Sequence, residues 1–88
     1  MSERTREAVL AIVARVAGAG RVPSAPGIDT PLRDGYWLDS MELLDVVLAC
    51  EAQFGVAFVE SVDLTPDNLA TVGTLVDLIE RRRGAGQT

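Results

Sequence analysis

From Glu3 to Ala17 the apolar residues Val9, Ile12, Val13 and Val16 recur at helical spacing while Glu3, Arg4, Glu7 and Arg15 fall largely elsewhere, which predicts an amphipathic first helix. Gly18 is placed to end it. Pro23, Pro26, Gly27 and Pro31 then forbid a long helix, so Arg21 to Asp34 reads as an extended surface loop of the kind that often serves function. Helical spacing returns from Ser40 to Gln53, with Leu43, Val46, Val47, Cys50 and Phe54 on one face. Met41, Leu44 and Leu48 make a second apolar stripe bordered by Glu42, Asp45 and Glu51. A helix apolar on two sides either lies deep in a bundle or keeps part of its surface for a partner. The interrupting acids favour the partner; the alternative is that Leu44 and Leu48 are core.

Gly55 is expected to terminate the second helix, and Val56 to Val59 form an apolar connector with no strand elsewhere to pair with. Thr65-Pro66-Asp67-Asn68-Leu69 has an N-cap, a proline at the first helical position and an acid in the first turn. That order predicts a short third helix with Leu69 pointing inward. Thr71 can cap a last helix whose buried face is Val72, Leu75, Val76 and Ile79, and Arg81-Arg82-Arg83 falls in its final turn, where cations complement the helix dipole. The expected fold is all-α: a small four-helix bundle of three main helices and a short third one, with a long loop between helices 1 and 2. One domain is expected over residues 1–88, with an ordered core at about 3–83 and a frayed tail at 84–88.

Composition narrows the chemistry. The chain has 88 residues, 48% of them hydrophobic, enough for one core without disulfide or structural metal. One cysteine and no histidine exclude zinc sites and histidine-based acid–base catalysis. Cys50, inside an apolar helical pattern, reads as a small buried hydrophobe. With no intrachain disulfide possible and no apolar run long enough to span a bilayer, a soluble cytoplasmic protein is expected. The formal charge of −5, from 13 acids against 8 arginines, makes nucleic acid and anionic membranes poor partners and proteins with basic docking patches good ones.

The candidate chemistry lies at Trp37-Leu38-Asp39-Ser40-Met41-Glu42-Leu43-Leu44-Asp45, where a serine stands at the change from loop to helix. Asp39 or Ser40 can serve as N-cap, and Asp39 with Glu42 has the spacing of a capping box. Unpaired N–H groups and the dipole make such a position hospitable to a phosphate. Any serine at a helix start shares this property; the surrounding pattern is more specific. Asp39-Ser40-Met41 followed by Glu42, Leu44, Asp45, Leu48, Glu51 and Phe54 resembles the phosphopantetheine site of acyl and peptidyl carrier proteins, with Met41 in place of the usual leucine. The resemblance runs from about Pro31 to Ile79.

The resemblance implies that Ser40 carries a covalent 4′-phosphopantetheine arm, taken from coenzyme A by a phosphopantetheinyl transferase, with Asp39 orienting the site. The arm's thiol would hold an acyl or aminoacyl thioester, and the protein itself would not be an enzyme. Leu32 would anchor the crossing loop in the core, and Phe58 would be a core plug or a base beneath the arm. The docking surface implied is the second helix, with Trp37, Met41, Glu42, Leu44, Asp45 and Leu48 meeting the transferase, an acyl- or aminoacyl-loading enzyme and a downstream synthase or transferase. Gly35-Tyr36-Trp37 departs from the family, which has a short apolar residue and a glycine there. One ring packs to fix the loop, or Trp37 lines the place where the arm emerges. The expected protein is a discrete, monomeric carrier of polyketide, nonribosomal peptide or related natural-product biosynthesis. The rivals are an unmodified helical adaptor that docks an enzyme through the same helix, and a small hydrolase or transferase using Ser40 directly.

Overall fold

Three buried stripes and their local stop signals account for the long helices of the computed structural model, which describes residues 3–85. Helix α1 spans Glu3–Ala17 and contributes Val9, Ile12 and Val13 to the core. A single 3-10 turn follows at Ala19–Arg21. Helix α2 spans Ser40–Phe54 and buries Leu43, Val46, Val47 and Cys50; its end is set by Gly55, whose φ of 65° is left-handed. Helix α4 spans Val72–Ala85 and buries Val72, Leu75, Val76, Leu78 and Ile79. Thr71 caps it, its hydroxyl accepting from the Thr74 N–H at 3.2 Å while the Thr74 hydroxyl accepts from the Thr71 N–H at 3.0 Å. Helix α1 packs against both α2 and α4. Each fully buried aliphatic side chain is worth roughly 1.5–3 kcal/mol, so these stripes supply most of the folding drive. The described residues are all helix, turn and loop, as expected of a small helical bundle.

The loop between α1 and α2 is long but pinned. Leu32, Tyr36 and Leu38 drop into the core. Its backbone is stitched to the start of α4: Leu32 N–H donates to Ala70 O at 3.0 Å, Val72 N–H to Thr30 O at 3.1 Å and Gly73 N–H to Ile28 O at 2.8 Å. Gly73 is needed for that approach, since a Cβ there would lie 2.9 Å from Ile28 O.

One expectation needs correction. The short helix is α3, at Glu60–Asp63, ahead of Thr65. Thr65 does act as a cap, its hydroxyl accepting from the Asn68 N–H at 3.2 Å, but residues 66–69 form a turn that goes no further. What stabilises α3 is tertiary. The Asp63 carboxylate reaches back to the Val59 N–H at 2.7 Å and takes two 2.7 Å hydrogen bonds from Arg82 of α4. Those contacts, Arg82 first, hold the nearly buried Asp63 carboxyl below the ordinary carboxylate range against the opposing effect of burial. Arg82 and Arg83 fall in the last turn of α4 as expected, and all three of Arg81-Arg82-Arg83 also make contacts beyond their helix. Arg81 donates to Asn68 Oδ1 at 3.2 Å, Arg82 grips Asp63, and the Arg83 guanidinium lies 5.7 Å from the centre of the Phe54 ring. Helix α4 continues through Gly84 and Ala85; the rest of the expected frayed tail lies outside the described residues.

Candidate functional site

The start of α2 is built by the capping box that the Asp39/Glu42 spacing predicts. Asp39 is the N-cap, with extended backbone, and its Oδ1 accepts from the Glu42 N–H at 2.8 Å. Glu42 Oε1 returns the contact by accepting from the Asp39 N–H at 3.2 Å. Ser40 is therefore the first residue of a 15-residue helix, and its side chain is exposed.

Two arginines, which no local pattern in the sequence marks, complete the arrangement. Arg21 donates to Ala17 O at 2.7 Å, to Trp37 O at 3.2 Å and to both carboxylate oxygens of Glu42, so it joins the end of α1, the loop and the start of α2. The Arg21 guanidinium, aided by the Asp39 N–H, holds the Glu42 carboxyl down at about 2. The carboxylate of Glu42, a residue expected on a docking surface, is engaged within the chain. Arg33 Nη2 donates to Ser40 Oγ at 2.9 Å. It reaches there because residues 31–36 turn tightly, with the Gly35 N–H donating to Pro31 O at 3.0 Å. A Cβ at Gly35 would lie 2.5 Å from Pro31 O, so only glycine permits the turn.

The aromatic pair divides its labour. Tyr36 is wholly buried, and burial pushes its hydroxyl up from the ordinary phenol range. Trp37 is 69% exposed and holds a φ of 58°, a left-handed backbone that costs a non-glycine residue about 1–2 kcal/mol. Arg21, by binding the Trp37 carbonyl, helps to fix that conformation. Along α2, Met41, Leu44 and Leu48 stand in solvent beside exposed Asp45, which removes the alternative that Leu44 and Leu48 are core. Val59 and Val62 of the α3 region are also exposed.

Ser40 opens onto a groove of about 400 Å³ walled by Leu43, Leu44, Val47, Leu64 and Leu69, with Arg33 and Glu60 as its charged residues. A cleft of about 590 Å³ shares Arg33, Leu43, Leu64 and Leu69 with it and extends towards Pro31, Pro66 and Thr71. Phe58 packs against the core and lines neither space, which favours the core plug over a base beneath an arm. Cys50 is buried, and burial raises its thiol to about 12, far from a nucleophile's range. Ser40 has no imidazole to activate it, because the chain has no histidine. No helix among the described residues is long and apolar enough to cross a membrane.

A solvent-facing serine at the head of a long helix, beside a cation and an apolar groove, is a setting that suits a phosphate ester. A model of the family described as phosphopantetheine attachment site matches residues 7–81. The chain belongs to that family. No curated protein and no solved structure matched the chain. As a carrier domain it takes a covalently attached 4′-phosphopantetheine, which supplies a terminal thiol able to hold cargo as a thioester. Carrier domains work with a phosphopantetheinyl transferase and with partner enzymes. The residues present fit the group: an open hydroxyl, free helix N–H groups and the Arg33 guanidinium suit the phosphate, and the groove's leucines suit apolar portions of an arm or its cargo.

Proposed function

We propose that Ser40 is the residue that bears the phosphopantetheine arm, and that the protein is a discrete carrier moving acyl or aminoacyl thioesters between separate enzymes of polyketide, nonribosomal peptide or related natural-product biosynthesis. The observation that carries this reading is the exposed Ser40 hydroxyl at the capped start of α2. Among the described residues the other serines are Ser24, in the loop, and Ser61, in the four-residue α3, and neither heads a long helix. Asp39 holds the helix start through its cap and leaves the serine facing solvent. The protein acts as substrate, of a phosphopantetheinyl transferase that modifies it and of a loading enzyme that charges it, before a downstream synthase or transferase takes the cargo. It works as a cytoplasmic monomer.

Docking falls to the exposed side of α2 and its approach. Met41, Leu44 and Leu48 offer apolar contact, Asp45 offers charge to a basic partner, and Trp37 offers an aromatic anchor beside the serine. Glu42 adds a second acid at the edge of that face while also keeping the helix start in place.

Incubation with coenzyme A and a broad-specificity phosphopantetheinyl transferase, followed by intact mass measurement, tests the assignment. Wild type gains one phosphopantetheine and Ser40→Ala gains none. A wild type left unmodified by a transferase that is active on a control carrier would favour the unmodified adaptor.

A further inference from the structure

We propose that Arg33 is a positioning residue for the arm, its guanidinium clamping the phosphodiester once the serine is modified and directing the arm into the groove between α2 and residues 64–69. The inference rests on the assignment of Ser40 as the attachment residue.

Arg33 already touches the atom on which the arm is built, its Nη2 donating to Ser40 Oγ at 2.9 Å. In the unmodified protein that acceptor is a neutral hydroxyl. After modification Oγ is an ester oxygen and a poor acceptor, while the two non-bridging phosphate oxygens, two bonds further out through phosphorus, share a negative charge. A guanidinium that donates to Oγ through Nη2 reaches those oxygens by a small rotation and gains a charge-assisted hydrogen bond. Arg33 is also free to make the exchange, because among the described residues it forms no ion pair with a carboxylate. Arg21, the other cation at this end of α2, is committed to Glu42, Trp37 and Ala17.

The surroundings sharpen the role. Glu60 lines the groove at the serine, Asp34 lines the adjoining cleft, and the whole chain carries −5, so a phosphate here enters an acidic surrounding. Arg33 is the cation that offsets them. It lines both the groove at Ser40 and the adjoining cleft. A phosphate held by Arg33 starts the arm on the Leu43, Leu64 and Leu69 side and away from Trp37.

Phosphorus NMR of the modified protein tests this. Wild type, Arg33→Lys and Arg33→Ala are loaded with phosphopantetheine, checked by intact mass, and compared with the same proteins unfolded in urea. In folded wild type the phosphodiester resonance is displaced from its unfolded position. Arg33→Ala loses that displacement and Arg33→Lys keeps part of it. The wild-type displacement shrinks between about 0.1 M and 1 M salt, as the screening length falls from about 10 Å to about 3 Å. A second readout needs no variant: the Arg33 Nε–Hε resonance of wild type shifts between unmodified and modified protein. This readout decides if Arg33→Ala resists loading or folding. A phosphodiester resonance identical in wild type and Arg33→Ala, or an Arg33 resonance unmoved by modification, overturns the clamp. Loss of the Ser40 assignment looks different, because wild type then gains no mass or Ser40→Ala still gains it.

Discussion

Leu43 and Leu44 are the same residue type, adjacent on one helix, and meet opposite fates: Leu43 is 8% exposed and Leu44 44%. Successive residues on an α-helix point about 100° apart, so one step separates the face that α1 and α4 cover from the face they leave open. Val46, Val47 and Cys50 follow Leu43 inward, while Met41 and Leu48 follow Leu44 outward. The folded domain draws its stability from the first set, and the second is surplus to it. An isolated exposed leucine means little, but a run of them flanked by Asp45, with Trp37 held in a left-handed conformation close by, supports the docking face proposed above.

The largest expected effect comes from cutting the inward side. Leu43→Ala removes a buried side chain beside the groove and lowers unfolding free energy by roughly 2–4 kcal/mol, read from urea denaturation. A loss below about 1 kcal/mol would mean that Leu43 belongs with its neighbour. Intermediate in size is the ionic tie between the two faces. Glu42 is held at about 2 against an ordinary 4.5, so its contribution is complete above about 4.5 and disappears as pH falls from there towards about 2. Asp63, lowered by Arg82, adds to the same acid-side loss. Arg21→Gln should flatten the Glu42 portion of the stability–pH curve and leave the Asp63 portion, measured by thermal midpoints from pH 6 to pH 2; an unchanged curve would show that Arg21 does not stabilise the folded state through Glu42. The smallest stability effect belongs to the outward side. Leu44→Ala and Asp45→Lys should each shift unfolding free energy by no more than about 0.5 kcal/mol while slowing transfer of the arm or of cargo. Unchanged kinetics with the transferase and every loading enzyme tried would remove the docking role from this face.

Much of this was written locally in the chain. The periodic stripes place α1, α2 and α4, and Asp39, Gly55 and Thr71 mark ends that the structure keeps. The two apolar stripes of α2 are legible too, although spacing alone leaves open whether the second, with Leu44 and Leu48, is covered as well. What escaped depends on residues far apart. Helix α3 has no cap of its own and exists because Asp63 meets Arg82, 19 positions away, whereas Thr65 offers a good start signal that leads only to a turn. Arg21 and Arg33 look like ordinary loop cations until the loop folds back, and then one fastens Glu42 and the other meets the serine. Glu42, read as a docking acid from its place on the helix, also binds an arginine 21 residues upstream.

The burial of Cys50 has a consequence for the thioester chemistry itself. A carrier that displayed its own thiol would risk taking the cargo off its arm, or pairing with a second molecule through a disulfide. Here the single cysteine is enclosed and its thiolate is suppressed to about 12, so at neutral pH the arm's tip is the reactive sulfhydryl of the folded domain. A maleimide added to folded protein should accordingly label the modified form once and the unmodified form not at all, turning a core packing choice into a direct count of how many molecules are ready to be charged.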